Sequence, residues 1–382
     1  MNPPTDVLVI GGGLLGCSTA LHLARRGNTV RVLEKDYVAR HASGVNAGGV
    51  RSLGRALPEL PLSLAAKQQW LHLADLVDDD GGFRAVGQIR VAETEAELER
   101  LRTRSRTVAA LGLDYAETVI GREELYERLP ALAPHCVGGL YVADDGYAQP
   151  YRTTAAFRRQ AERLGAVFHE GVQATTPTYA AGTWTVHSHA GDDFRATVLV
   201  NCAGAWGGQL AAALGDATPL QPNGSMLMVT TRMKPFVGPV VGAAGRSLSF
   251  KQFENGTVLV GGGHRAPVDL DTNHTSLALT GLAKAARTAT DLFPIMRSAQ
   301  AARCWSGIEG FTPDGLPVIG PSPSSPALFH AFGFSAHGFQ LGPIVGQILA
   351  ELIHGEPASL PIDAFRVDRF ESACRGAGRT AP

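Results

Sequence analysis

The N-terminal stretch constrains the fold more than any other part of the chain. "DVLVI" (Asp6 to Ile10) is a short apolar strand running directly into "GGGLLG". "CSTALHLARRG" follows with Leu15, Ala20, Leu21 and Ala24 at helical spacing and stops at Gly27. "NTVRVLEKD" predicts a second strand ending in Glu34. Strand, G-x-G-x-x-G, helix, strand and acid in that order form the βαβ unit that binds a dinucleotide. Gly11 permits the tight turn, Gly13 lets a pyrophosphate approach the backbone, and Gly16 allows close helix–strand packing. The helix start offers N–H groups and the positive end of a dipole to phosphate. Glu34 is spaced to accept hydrogen bonds from an adenosine ribose.

The segments after this unit point to the kind of dinucleotide. A nicotinamide dehydrogenase usually continues β-α-β-α through a doubly wound sheet. Here a Gly/Ser/Asn-rich segment, "ARHASGVNAGGVRSLG" (Ala39 to Gly54), is inserted instead. Further on, "GVQATTPTYAAGTWTVHSHAGDDFRATVLVNCAGAW" predicts a meander of short strands closing on a glycine. No second G-x-G-x-x-G leads into a helix, since "VGGGHRA" (Val260 to Ala266) runs into polar loop sequence. This pattern favours FAD.

The bulk properties narrow the class. At 382 residues the chain exceeds the usual ceiling for one core, so two joined domains are expected. A formal net charge of −1 gives no electrostatic footprint for nucleic acid. Only 18% of residues are charged and 45 are glycine, which favours many tight turns around a large interior over disorder. Cys17, Cys136, Cys202, Cys304 and Cys374 are scattered without a C-x-x-C pair, so reduced thiols, no metal site and a cytoplasmic protein are expected. The N-terminus lacks the basic start of a signal peptide. The uncharged run from Gly315 to Ala350 is broken by Pro, Ser, His and Gly and predicts no membrane span.

The whole chain resembles the D-amino-acid oxidase superfamily of flavoproteins, in particular its glycine oxidase, sarcosine oxidase and opine or proline dehydrogenase β-subunit branches. The resemblance rests on "VIGGGLLG", "LEKD" with "ASGVNAGGVR", "GVQA", "VNCAGAW", and "WSGIEGFTPDGLPVIG" with "GFSAHGFQLGP", in that order. It implies an α/β (α+β) fold, in which a Rossmann-like FAD domain is interleaved with an antiparallel-sheet substrate domain. The FAD domain is expected over residues 1–80, 145–215 and 315–370, and the substrate domain over 81–144 and 216–314. Besides Gly11, Gly13 and Gly16, the positions carried over for FAD contact are Leu14, Leu15, Glu34, Lys35, Ala42, Ser43, Ala47, Gly48, Gly49, Val172 and Gly204. Ser335, His337, Gly338, Phe339 and Gln340 lie in the segment that wraps the isoalloxazine ring in this family. The helix after it is expected to aim its N-terminal amides at the flavin, a sensible place for the charge of a reduced flavin. Gly338 and Gly342 are read as allowing close approach to the ring, and Pro343 as a first-turn proline. Ile344, Val345, Ile348, Leu349, Leu352 and Ile353 form one apolar stripe.

The substrate end departs from the pattern. Glycine oxidase-like members place a carboxylate-binding Arg where this chain has Glu309 in "WSGIEGFTPDG". Glu309 either meets a cationic part of the substrate or pairs with a structural Arg such as Arg303. Arg51 matches a carboxylate-binding Arg of sarcosine oxidase-like members; otherwise it forms a salt bridge beside the FAD loop. Ser249 stands where glycine oxidase-like members contact substrate with a Tyr, so the Tyr contact itself is expected to be lost. His337 orients substrate, bonds the flavin, or caps its loop. Lys251 lies near the flavin or is a solvated strand residue. Gly307 matches the Cys to which some sarcosine oxidases attach FAD, so non-covalent FAD is expected. His187, His189, His264 and His274 are expected at the surface.

The expected activity is FAD-dependent oxidation of the C–N bond of an amino acid or secondary amine (D-amino acid, sarcosine, proline or opine class). It proceeds by hydride transfer to flavin N5, followed by imine hydrolysis. Electrons leave to O2, a quinone or a partner flavoprotein subunit, and the chain is a candidate β-type subunit of a hetero-oligomer. The alternatives are a 2-hydroxy-acid oxidoreductase of the same fold and a flavin-holding subunit without catalysis.

Overall fold

In the computed structural model, which describes residues 3–370, two sheets carry the chain. The first runs in the order Val318–Pro321, Leu328–Phe332, Asp193–Asn201, Thr5–Ile10, Val30–Glu34, Val167–Glu170. All neighbours are parallel except the Val318–Pro321 edge. Strand residues such as Leu8, Val9, Val32, Leu199 and Val200 are almost entirely buried, as a parallel sheet covered on both faces requires. The expected meander is present: Thr178–Ala180 pairs antiparallel with Thr183–His187, which in turn pairs antiparallel with the start of Asp193–Asn201. That long strand then continues between Thr5–Ile10 and Leu328–Phe332.

Because these strands are parallel and in register, their C-terminal ends meet on one edge. Ile10 faces Asn201 and Leu33, and Asn201 faces His330. The turns at Gly11, Glu34, Cys202 and Gly333 therefore converge, which is where open α/β sheets bind ligands.

The second sheet has nine strands, centred on Gln88–Ala92, Val240–Ala243, Ser249–Gln252, Val258–Gly261 and Gln221–Thr230. Ala301–Phe311 pairs along the whole of Gln221–Thr230. One face, carrying Ile89, Val91, Val241, Phe250 and Val260, packs on helix Leu279–Leu292 through Ala285, Ala289 and Leu292. Strand alternation turns Arg90, Ser249 and Lys251 to the other face. Trp305 Nε1 on that face donates to Val45 O at 2.7 Å, so this face meets the Ala39–Gly54 segment.

Helix Gly338–Ile353 packs against helix Leu14–Arg25, and small residues set the distance. A Cβ on Gly342 would lie 2.6 Å from Leu14 Cδ2, and one on Gly346 would lie 2.2 Å from Ser18 Oγ. Gly342 thus serves helix–helix contact and not approach to a ring, which corrects the sequence reading. Pro343 is likewise not in the first turn; it lies inside the helix, and its carbonyl accepts from Ser18 Oγ at 3.2 Å. Ile344, Val345, Ile348 and Leu349 are buried, while Leu352 and Ile353 are partly so. Among the described residues no helix is long and apolar enough to cross a membrane. Cys17, Cys136, Cys202 and Cys304 are free thiols, and Cys374 lies outside the described residues.

Candidate functional site

A cavity of about 500 Å³ opens at the converging strand ends and is lined from both sheets. Its lining includes Gly11, Gly13, Leu15, Glu34, Lys35, Ala42, Ser43, Val172 and Gly204 at one end. Glu309, Phe334, Ser335, Gly338 and Phe339 line the other. Of the remaining residues expected at the cofactor, Leu14, Gly16, Ala47, Gly48, Gly49, His337 and Gln340 are not in this lining. Arg51 and Ser249 also lie outside it.

The glycines are fixed by contacts the spacing foretold. Gly11 has φ 109°, and a Cβ there would lie 2.3 Å from Cys202 O. A Cβ on Gly16 would lie 1.9 Å from Gly11 O. Gly16 therefore supports the turn from behind, and Leu14 is its fully buried neighbour. Ser43 Oγ accepts from Leu14 N at 2.9 Å, placing a hydroxyl on the helix start where phosphate is expected. Both oxygens of Glu34 already accept backbone amides, Oε2 from Gly12 at 2.7 Å and Oε1 from Asp36 at 2.9 Å. Burial nevertheless holds its carboxyl above the ordinary range, with those two amides opposing. Val172 N donates to Glu34 O at 2.8 Å, which brings the "GVQA" turn beside the acid. Lys35 Nζ sits 3.1 Å over the Trp206 ring, and burial lowers its pKa to about 8. Trp206 also meets His41 in a tilted contact with ring centroids 4.7 Å apart. Sequence reasoning did not single out either ring.

At the other end the chain bends sharply. Ser335 and Ala336 have φ 49° and 70°, two successive non-glycine residues in the left-handed region. Such geometry costs of order 1–3 kcal/mol per residue and is kept only where surrounding bonds over-determine it. Ser335 N donates to Gly310 O at 3.1 Å, and Thr312 N donates to Ser335 Oγ at 3.2 Å. The bend delivers helix Gly338–Ile353 without a side-chain cap, so its first amides are left as donors beside the cavity. Gln340 instead ties the helix to Leu60–Leu71: its Nε2 donates to Ser63 O at 2.8 Å and its carbonyl accepts from Trp70 Nε1 at 2.8 Å. Gly48 has φ 68° and a Cβ there would strike Ala148 O at 2.2 Å, while Gly49 pairs with Tyr147. The Ala47–Gly49 strap is thereby held in place.

Glu309 does not pair with Arg303. Its Oε2 accepts from Ser225 Oγ at 2.7 Å, and no ion pair to it exists among the described residues. Burial raises its pKa, with Ser225 and then Arg265 pulling the other way. Arg51 forms no salt bridge among the described residues either; its Nη1 donates to Leu53 O. His337 Nδ1 lies 2.9 Å from Glu59 Oε1, and burial followed by Arg55 lowers the imidazole to about 4. The ring is thus neutral at pH 7. Lys251 corrects the solvated reading: it is 1% exposed, and its Nζ donates to Ala47 O. Gly307 faces Val45, where a Cβ would come within 2.6 Å of Cγ2. Of the four histidines expected at the surface, His187, His189 and His274 are exposed, but His264 is only half-exposed.

Turn, helix start, acid and uncapped second helix thus surround one elongated cavity, with the donor set an adenine dinucleotide needs. The family of FAD-dependent oxidoreductases designated DAO matches residues 6–352. The chain belongs to that family. Glycine oxidase of Geobacillus kaustophilus is 27% identical over 373 residues, covering 95% of this chain and 97% of that protein. A subunit of the opine oxidase of Rhizobium meliloti is 28% identical over 379 residues, covering 96% and 98%. In fold, the crystal structure of the Geobacillus enzyme superposes with a TM-score of 0.89 at 24% identity, covering 96% of this chain and 99% of that one. L-proline dehydrogenase from P. horikoshii gives the same TM-score and identity, covering 98% and 99%. The chain is an FAD-dependent oxidoreductase with a mixed α/β fold, as the sequence led one to expect.

Proposed function

We propose that this FAD-dependent oxidoreductase of amino-acid and amine C–N bonds takes an N-substituted amino acid, a secondary amine of the opine type. The observation that carries the reading is Glu309, a carboxylate on the cavity wall that accepts from a serine hydroxyl and forms no ion pair among the described residues. A carboxylate so placed attracts an ammonium or guanidinium and repels the carboxylate of a plain amino acid. Arg51, half-buried and without an acidic partner, is the complementary group for the substrate carboxylate.

When bound, FAD accepts the hydride from the carbon that bears the nitrogen. The chain's part is orientation and proton management. Neutral His337 is an acceptor for a substrate N–H, with Glu59 fixing which ring nitrogen carries the hydrogen. Ser249 adds a small hydroxyl on the same sheet face, and the imine product leaves to hydrolyse in water. The cofactor-lining residues hold the dinucleotide non-covalently. The division into an FAD unit (1–80, 145–215, 315–370) and a substrate unit (81–144, 216–314) belongs to the same proposal, and the two sheets support it. So do a cytoplasmic location, an acceptor that is O2, a quinone or a partner flavoprotein, and assembly as a β-type subunit. The similarity to a subunit of opine oxidase supports the last.

An anaerobic flavin-bleaching screen across D-amino acids, sarcosine, proline, opines and 2-hydroxy acids tests it. Opines are expected to bleach the wild type fastest, and Glu309→Arg to move the kcat/KM ratio toward glycine by about tenfold or more. An identical substrate profile in both proteins would remove Glu309 from the substrate site. Bleaching by hydroxy acids alone would replace the amine reading.

A further inference from the structure

The hairpin Val268–Thr275 leaves the second sheet and reaches the dinucleotide cavity at its tip. Val268 pairs with Thr275 and Asp269 with His274, so Leu270 to Asn273 form that tip. Asp269 Oδ1 accepts from Asp271 N at 2.9 Å and from Thr272 N at 3.2 Å, which shapes the turn from within. Asn273 completes it at φ 55°, in the left-handed region that Asn tolerates better than most residues. The base is anchored on the second sheet: Ala266 pairs with Gly224, and Thr275 Oγ1 lies 3.1 Å from Ser306 Oγ. Ser306 stands on the same strand as Glu309.

The tip meets the adenosine end of the cavity. Leu270 and Asp271 line it together with Lys35 and Trp206. Lys35 follows Glu34, the acid at which an adenosine ribose is expected. Trp206 Nε1 donates to Leu270 O at 3.0 Å, while Lys35 Nζ donates to Asn273 Oδ1. The Lys35 ammonium also sits 3.1 Å from the centroid of the Trp206 ring. One indole thus holds a cation with its face and a hairpin carbonyl with its edge.

Strand pairing and the Asp269 bonds suffice to shape the hairpin. The bonds made by Trp206 and Asn273 do something different: they fix where the tip stands and where Lys35 points. Leu270 and Asn273 are half-buried, whereas Asp271 and Thr272 are exposed, so the tip is a solvent-facing wall of the cavity.

We propose that this hairpin is a clasp on the adenosine half of FAD, and that Trp206 and Asn273 are the positioning residues that close it. The clasp swings aside for the dinucleotide to enter and then shuts over the ribose, with Lys35 held beside it as a cationic donor. Retention of the cofactor thereby depends on its adenosine half, which sets a preference for FAD over FMN. A wall that closes on one half of a ligand acts mainly on its release.

The test uses FAD, FMN, which carries the flavin half alone, and ADP, which carries the adenosine half alone. FAD release from the holoprotein is followed by the rise in flavin fluorescence on dilution. Affinities for the three ligands are measured by calorimetry on the full chain stripped of flavin. Asn273→Gly removes the acceptor without straining the turn, because glycine accepts a positive φ. It is expected to release FAD about fivefold or more faster, and to bind FAD and ADP about fivefold or more weakly. Its FMN affinity is expected to stay within about twofold. Trp206→Phe, which keeps a ring but loses the N–H, is expected to shift all three ligands in the same pattern. Asn273→Asp keeps an acceptor for Lys35 and is expected to release FAD within about twofold of the wild-type rate. Unchanged FAD release in Asn273→Gly, or FMN affinity falling in step with FAD, overturns the clasp. So does an ADP affinity that Asn273→Gly leaves untouched. These outcomes stand on Asn273 alone if Trp206→Phe does not fold.

Discussion

His337 Nδ1 lies 2.9 Å from Glu59 Oε1, tying the residue that precedes helix Gly338–Ile353 to a fully buried carboxylate 278 positions away. Burial and then Arg55 keep the imidazole neutral against the pull of Glu59, and the bond leaves the other ring nitrogen to accept. That neutrality makes this end of the site sensitive to acid.

Between pH 6.5 and about 4 the unfolded chain takes up a proton at His337 that the folded chain refuses. Folding stability therefore falls as pH falls through that window, and the loss is complete below it. His22, also buried and held at about 4, contributes with the same sign. His337→Asn is expected to flatten the urea-denaturation profile over this range without abolishing it. Parallel profiles for variant and wild type would mean the ring is not held neutral.

Lys251 acts with the same sign in a higher window. Its Nζ lies 5.1 Å and 5.7 Å from the rings of Tyr147 and Phe253, and burial alone brings it from 10.5 to about 7. From pH 7 to 10.5 the unfolded chain holds a proton that the folded chain has released, so wild-type stability rises with pH relative to Lys251→Met. The difference is expected to grow by up to about 1.4 kcal/mol per pH unit. Denaturation at pH 7, 8 and 9 measures it, and a constant difference would show a lysine that stays charged.

Helix spacing predicts a third outcome. Gly346→Ala drives a methyl group to 2.2 Å from Ser18 Oγ and 2.5 Å from the Ser18 carbonyl carbon. A loss of about 1–3 kcal/mol is expected, with weaker FAD retention because helix Leu14–Arg25 is displaced. Gly238, with nothing within 4 Å of its Cβ position, is the control: Gly238→Ala should change stability by less than about 0.5 kcal/mol. Equal effects at the two sites would contradict the packing account.

The first crossover is readable because its chemistry is local. Gly11, Gly13, Gly16 and Glu34 lie within a stretch short enough for one turn, one helix and one strand to fix their relation. The role of Gly342 is not legible in the same way, because a glycine's use depends on what faces it, and Leu14 is distant in sequence. The burial of Lys251 escapes a sequence reading for the same reason: alternation along its strand gives a face, but not the Ala47 carbonyl that covers it.

The sequence by itself determined the dinucleotide-binding unit, the final helix with its apolar stripe and the kind of cofactor, since each follows from neighbours along the chain. Tertiary structure alone decided that Glu309 faces a cavity with Ser225 as its hydrogen-bond partner, and that Arg51, Arg55 and Arg90 form no ion pair among the described residues. Partnership between charges depends on distances across two sheets. Such distances are set by packing and register, and no local pattern encodes them.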